Sequence, residues 1–181
     1  LVSDIQEFQK HSLEFDDVFA RGRLELAYDI YNINMQRRLE RYEYALTLLQ
    51  SGKPTVNKEG QKEQESPFNF NQDEVYAYDR EDAAWPVSTA ELDELWRVKV
   101  KSDVLNLLLA GKEWPQAQEV LTKRYKYAIK RLKQSESEDV FQLIMNSFAR
   151  VVEPHTSYLS PRNAERFQME MNLSLEGIGA V

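Results

Sequence analysis

From residue 24 to residue 49 the chain repeats an apolar or aromatic side chain every three or four positions. Leu24, Tyr28, Tyr31, Met35, Leu39, Tyr42, Leu46 and Leu49 make the stripe, which is the signature of one buried helical face. The pattern predicts a first long helix from about Glu14 to Gln50, roughly 50 Å long if continuous. Continuity is weakest at Gly22, since glycine costs about 1 kcal/mol in a helix interior, and at Asn32-Ile33-Asn34. Gly52 followed by Pro54 is a stop signal.

Three more helices follow from the same arithmetic. Ser88 with Glu91 has the form of a capping box and opens a helix carrying Leu92, Leu95, Trp96, Val100, Val104, Leu107 and Leu108, which ends at Gly111. Pro115 suits a first helical turn, and Leu121, Tyr125, Ala128, Ile129 and Leu132 then share one face. Ser135 with Glu138 reads as a second box, before a helix burying Val140, Ile144, Ser147, Phe148 and Val151 and ended by Pro154. Short connections at 111–115 and 133–137 favour antiparallel neighbours. Ser160-Pro161 starts a short helix through Phe167 and Met171. Leu173 to Val181 then alternates apolar residues around Gly177 and Gly179, as a strand does.

Between residues 51 and 86 the periodicity dissolves. Lys58 to Ser66 is polar and charged, whereas Phe68, Phe70, Tyr76, Tyr78 and Trp85 are scattered among acids. This predicts a long loop whose aromatics strap it onto the helical body, and loops of this length in compact domains tend to carry function. The fold class is therefore all-α: an antiparallel bundle of about five to six helices with a long loop, plus a C-terminal strand fragment. Because the chain starts on Leu1 and stops within a strand-like run, it is expected to be a piece of a longer protein.

Charge changes the picture in one place. The whole chain carries −7, with a pI near 5.0, which disfavours a generic binder of nucleic acid or anionic membrane. Yet Arg97 to Lys133 holds ten basic residues against three acidic ones. Lys123, Arg124, Lys126, Lys130 and Arg131 are the densest part and alternate with tyrosines. Three readings stand: a solvated helix face, a contact for an acidic protein or for the chain's own acidic loop, and a nucleic-acid surface.

Catalytic chemistry is sparse. His155 lies beside Thr156, Ser157 and Ser160, but sequence neighbours rarely point at one another as nucleophile and base must. A Pro-His-Thr-Ser turn more often bonds to its own backbone. Without cysteine there is no thiolate, disulfide or cysteine-ligated metal. With two histidines no metal or other cofactor is expected. No run of 18 apolar residues suggests a membrane span, and the start shows no signal-peptide pattern. Gly177-Ile178-Gly179 is too short to claim a phosphate cradle.

Taken together, Pro154-His155-Thr156-Ser157-Tyr158-Leu159-Ser160-Pro161-Arg162-Asn163 and Leu173 to Val181 closely resemble the tail-specific proteases. These form the long periplasmic branch of the carboxy-terminal processing peptidases. Tyr28 to Asn32, Arg37 to Leu46, Trp85-Pro86, Leu95 to Lys101 and Arg124 to Leu132 match as well. Residues 53–79 match least, and Glu153 stands where the family usually has Asp.

The resemblance implies a parent serine endopeptidase with a Ser/Lys dyad, built from a helical N-terminal domain, a PDZ domain, a protease core and a C-terminal helical domain. On this reading residues 1–152 are the helical domain, 153–172 a connecting turn and helix, and 173–181 the start of PDZ. The dyad lies beyond Val181, so no catalytic residue is assigned and the chain should be inactive alone. The implied partners are the parent's own PDZ and protease domains, protein substrates with apolar C-termini, and in some members a tetratricopeptide-repeat lipoprotein adaptor. Nucleic acid is not among them. The expected function is scaffold and docking surface in the periplasm, with Lys123, Arg124, Lys126, Lys130 and Arg131 as candidate contacts. The alternative is a free-standing helical module that binds an acidic protein or nucleic acid.

Overall fold

The computed structural model describes residues 1–56, 60 and 62–172. Leu173 to Val181, where the strand and the PDZ start were expected, lie outside the described residues. Among those described there are seven helices: α1 (Val2–Lys10), α2 (Phe15–Ala20), α3 (Glu25–Gln50), α4 (Thr89–Leu109), α5 (Trp114–Lys133), α6 (Ser137–Val152) and α7 (Pro161–Asn172). Two three-residue strands, β1 (Pro54–Val56) and β2 (Lys62–Gln64), pair antiparallel with Thr55 opposite Glu63. The protein is helical, as its periodicity predicts. It divides into two compact units, 1–133 and 134–181.

The long first helix is in fact interrupted. Gly22 takes φ +66°, Arg23 N–H donates to the Val18 carbonyl at 2.9 Å, and Gly22 N–H donates to Phe19 at 3.0 Å. This is a Schellman stop, in which a left-handed glycine lets the chain end α2 with its last carbonyls satisfied. The same geometry ends α4, where Gly111 has φ +84° and Lys112 N–H reaches the Leu107 carbonyl at 3.1 Å. Asn32-Ile33-Asn34, by contrast, does not break α3, since both asparagines face water.

In the first unit α3, α4 and α5 pack on one another. Ala45, Leu49, Val100, Val104 and Leu121 are fully buried, and Tyr125 and Phe68 join them. Fully burying a leucine or valine stabilises by roughly 1.5–3 kcal/mol, so these few positions dominate the hold. Tyr42 meets Trp96 edge-on with 5.8 Å between ring centroids. The loop is strapped down as expected at Phe68, which packs edge-on against Trp114 at 6.4 Å. Trp85 stays 60% exposed.

Local caps account for the helix starts. Ser88 Oγ accepts the Glu91 N–H at 3.2 Å, and Glu91 accepts from Val87 N–H at 2.8 Å. The second box is displaced by one residue from the expected Ser135–Glu138 pair: Glu136 N–H donates to Asp139 at 3.3 Å. Asp139 serves that orphan donor, leaving Glu138 to act only as first-turn charge. In the second unit α6 buries Val140 and Ile144, but Ser147 and Val151 are exposed, contrary to the apolar face expected there. Ser147 instead bonds back to the Leu143 carbonyl at 2.9 Å, a partner its hydroxyl finds without leaving the water-facing side.

Candidate interaction surface

The helix α5 sorts its residues by face. Ala117, Leu121, Tyr125 and Leu132 turn inward, so the intervening positions 123, 124, 126, 130 and 131 turn to water, as spacing of three and four requires. Lys123, Arg124, Lys126, Lys130 and Arg131 are all exposed. Lys123 pairs with Glu119 one turn back at 2.6 Å, and its hydrogen bond holds the Glu119 carboxyl below the ordinary range. The other four have no carboxylate in ion-pair distance among the described residues. Tyr127 is 63% exposed beside them.

The buried side of the same helix fixes that face in place. Tyr125 donates its hydroxyl to Asp103 on α4 at 2.8 Å, and Lys99 holds the same carboxylate at 2.7 Å. Burial pushes the Tyr125 phenol far above its usual range, and the adjacent Asp103 charge adds to the shift.

One acid of the loop is engaged on α4. Glu74 pairs with Arg97 and with the buried Lys101, both on α4, and Lys101 also donates to the Gln72 carbonyl at 3.2 Å. The Arg97 hydrogen bond, then that of Lys101, holds Glu74 below the ordinary carboxylate range. Two of the ten cations in the basic stretch therefore fasten the loop to α4. The sequence marks them only as charges, because nothing local records that Glu74 returns to them from 23 and 27 residues away.

The residues around His155 form a turn rather than a catalytic pair. Thr156 donates its hydroxyl to Glu153 at 2.7 Å and its N–H to the Glu153 carbonyl at 3.1 Å. Ser160 is buried, with its N–H on Gln142 at 3.1 Å. Asn146 clamps the turn, accepting from Tyr158 N–H at 2.8 Å and donating to the Tyr158 carbonyl at 3.0 Å. Glu153 thus makes the local turn bond.

One feature of the first unit escapes a reading by periodicity. A cavity of about 410 Å³ is lined by Leu1, by α3 and α4, and by the loop at 80–81 and 83–86, with Arg37, Arg38, Arg41 and Arg80 on its wall. The pairing of Arg37-Arg38 with Arg41 one turn on is visible in the sequence as three cations on neighbouring positions of one helix. Their gathering around tryptophans is not.

Comparison with known proteins places this architecture. Residues 1–162 match the family described as tail specific protease N-terminal domain. The chain is 45% identical over 180 residues to the tail-specific protease of Haemophilus influenzae, covering 99% of this chain and 24% of that protein. It thus spans about a quarter of the length of the curated relative it matches. No helix among the described residues is long and apolar enough to cross a membrane. A family match over most of its length, and close identity across nearly all of it, assign the chain to the tail-specific protease N-terminal domain family.

Proposed function

We propose that this chain is the non-catalytic helical domain of a periplasmic serine endopeptidase that processes or degrades proteins recognised by their C-terminus. The observation that carries the reading is the 45% identity over 99% of the chain to a protein of which it covers only 24%. On this reading the Ser/Lys dyad and the PDZ groove belong to the parent's remaining length. Residues 1–152 serve as the helical scaffold, 153–172 connect, and 173–181 enter PDZ. The purified chain should show no peptidase activity.

The surface offered to an adaptor or substrate is the α5 face. Four cations without carboxylate partners and an exposed tyrosine support this, since cations free of internal partners retain their charge for an acidic partner. Reversing Lys123, Arg124, Lys130 and Arg131 to Glu in the full-length enzyme tests it. Adaptor affinity or tail-dependent cleavage should fall by about tenfold or more. Both unchanged would sink the docking role.

A further inference from the structure

The cavity of the first unit is the feature that α5 and the family match leave unused. Its volume, about 410 Å³, lies within the roughly 300–1,000 Å³ of small-ligand sites. One side is apolar: Tyr42, Trp85, Leu92, Leu95 and Trp96 line it. The wall formed by residues 80–86 is pinned, since Pro86 is buried and its carbonyl accepts the Val2 N–H at 3.0 Å.

The four arginines divide into two pairs. Arg37 is consumed by the fold: Nε and Nη2 donate to Asp4, each at 2.9 Å, and Nη1 donates to Glu40 at 3.2 Å. The first of these contacts holds the Asp4 carboxyl below its ordinary range. Arg41 is committed at its end, pairing with Asp93 and lying over the Tyr44 ring at 5.2 Å, while its buried Nε has no hydrogen-bond partner among the described residues. Arg38 and Arg80 have no carboxylate in ion-pair distance among the described residues. The other charged side chain lining the cavity is that of the exposed Glu81. Two guanidinium groups without ion-pair partners, the exposed Arg38 and the half-buried Arg80, thus line the cavity together with one exposed carboxylate and two tryptophans.

We propose that this cavity binds the end of a polypeptide: Arg38 and Arg80 take its terminal carboxylate, and Tyr42, Trp85, Leu92 and Trp96 take its last, apolar side chain. A purely apolar ligand would strip water from two unpaired guanidinium groups, which costs free energy. A bare inorganic anion would leave the aromatic wall unused. An alkyl group next to a carboxylate satisfies both halves, and guanidinium is the cation whose planar fork suits a carboxylate. Choosing a polypeptide end over other molecules of that chemistry rests on the proposed function, in which the parent acts on tails.

The test uses the full 181-residue chain with its three tryptophans as reporters. Trp85 and Trp96 line the cavity, whereas Trp114 packs against Phe68 in the core. A six-residue peptide ending in leucine with a free carboxylate should shift the indole N–H resonances of Trp85 and Trp96 saturably and leave that of Trp114 in place. Amidating the terminus should weaken binding about tenfold, the scale of a lost charge-assisted hydrogen bond. Arg38→Ala with Arg80→Ala should do the same without changing the circular dichroism, and Trp85→Ala supplies a second, uncharged lesion.

Absence of any shift at millimolar peptide would overturn the proposal. So would an amidated peptide that binds as well, or an undiminished double variant. An amidated peptide with an internal glutamate that binds equally would also overturn it, because the site would then not read a chain end. Tail-dependent cleavage by the full-length enzyme is a separate readout. Cleavage retained with no peptide binding to this chain removes the cavity site and leaves the proposed function standing.

Discussion

The two compact units are built to different standards of closure. In the first, α3, α4 and α5 enclose side chains with no exposed surface at all, Leu49, Val100, Val104 and Leu121 among them. In the second, among the described residues, only Val140, Ile144 and Ser160 are buried, and no residue of α7 is. Phe167 and Met171 are 51% and 66% exposed. The second unit is fastened instead by polar clamps, Gln142 to Ser160 and Asn163 and Asn146 to Tyr158. A core of hydrophobic contacts resists local opening cooperatively, whereas a few side-chain-to-backbone bonds hold one turn at a time.

The largest effect should come from opening the closed core. Leu121→Ala is expected to cost about 2–5 kcal/mol, the range for a buried leucine truncated in a packed interior. Denaturant unfolding measures it, and a loss under 1 kcal/mol would show that the first unit is looser than its burial implies.

Next, Gln142→Ala should cost roughly 1–2 kcal/mol, because it unpairs the buried Ser160 N–H and frees Asn163. Amide exchange should quicken at the 158–164 turn and not in α3–α5. Exchange that accelerates everywhere would dissolve the distinction between clamps and core.

Acid should act on the first unit through Glu74. Its folded pKa is lowered from 4.5 by Arg97 first and Lys101 second, so the unfolded chain binds the proton more readily. The contribution is therefore present above about pH 4.5 and fades as pH falls through the lower folded value. Melting temperature should drop across that window, and Glu74→Gln should flatten the drop. An unaltered pH profile in the variant would exclude Glu74 as the fastener.

The smallest effect is expected at α7. Phe167→Ser should change stability by no more than about 0.5 kcal/mol, as exposed substitutions do. A cost comparable with Leu121→Ala would mean that α7 is held as firmly as the core.

Much of this protein was legible in the chain because it is decided within one or two helical turns. The Ser88 cap, the Gly111 stop and the inward stripe of Leu121, Tyr125 and Leu132 each depend on neighbours three to five residues away, where periodicity and capping chemistry operate. Exposure of the five α5 cations follows from the same spacing. The displaced box at Glu136 and the break at Gly22 mark the limit even of local signals, since competing carboxylates and a tolerated glycine offer nearly equal alternatives.

What only the tertiary structure decided are meetings between distant segments. Lys101 is charged and reads as surface, yet it is buried because Glu74 returns to it. Phe68 reads as a strap on the loop, and only the packing chooses Trp114 as its partner. Arg38 and Arg80 stand 42 residues apart and share one cavity. Burial and pairing energies depend on which side chains are brought together, and that choice is made by the packing of whole helices and the path of the loop. No pattern of three or four residues records it.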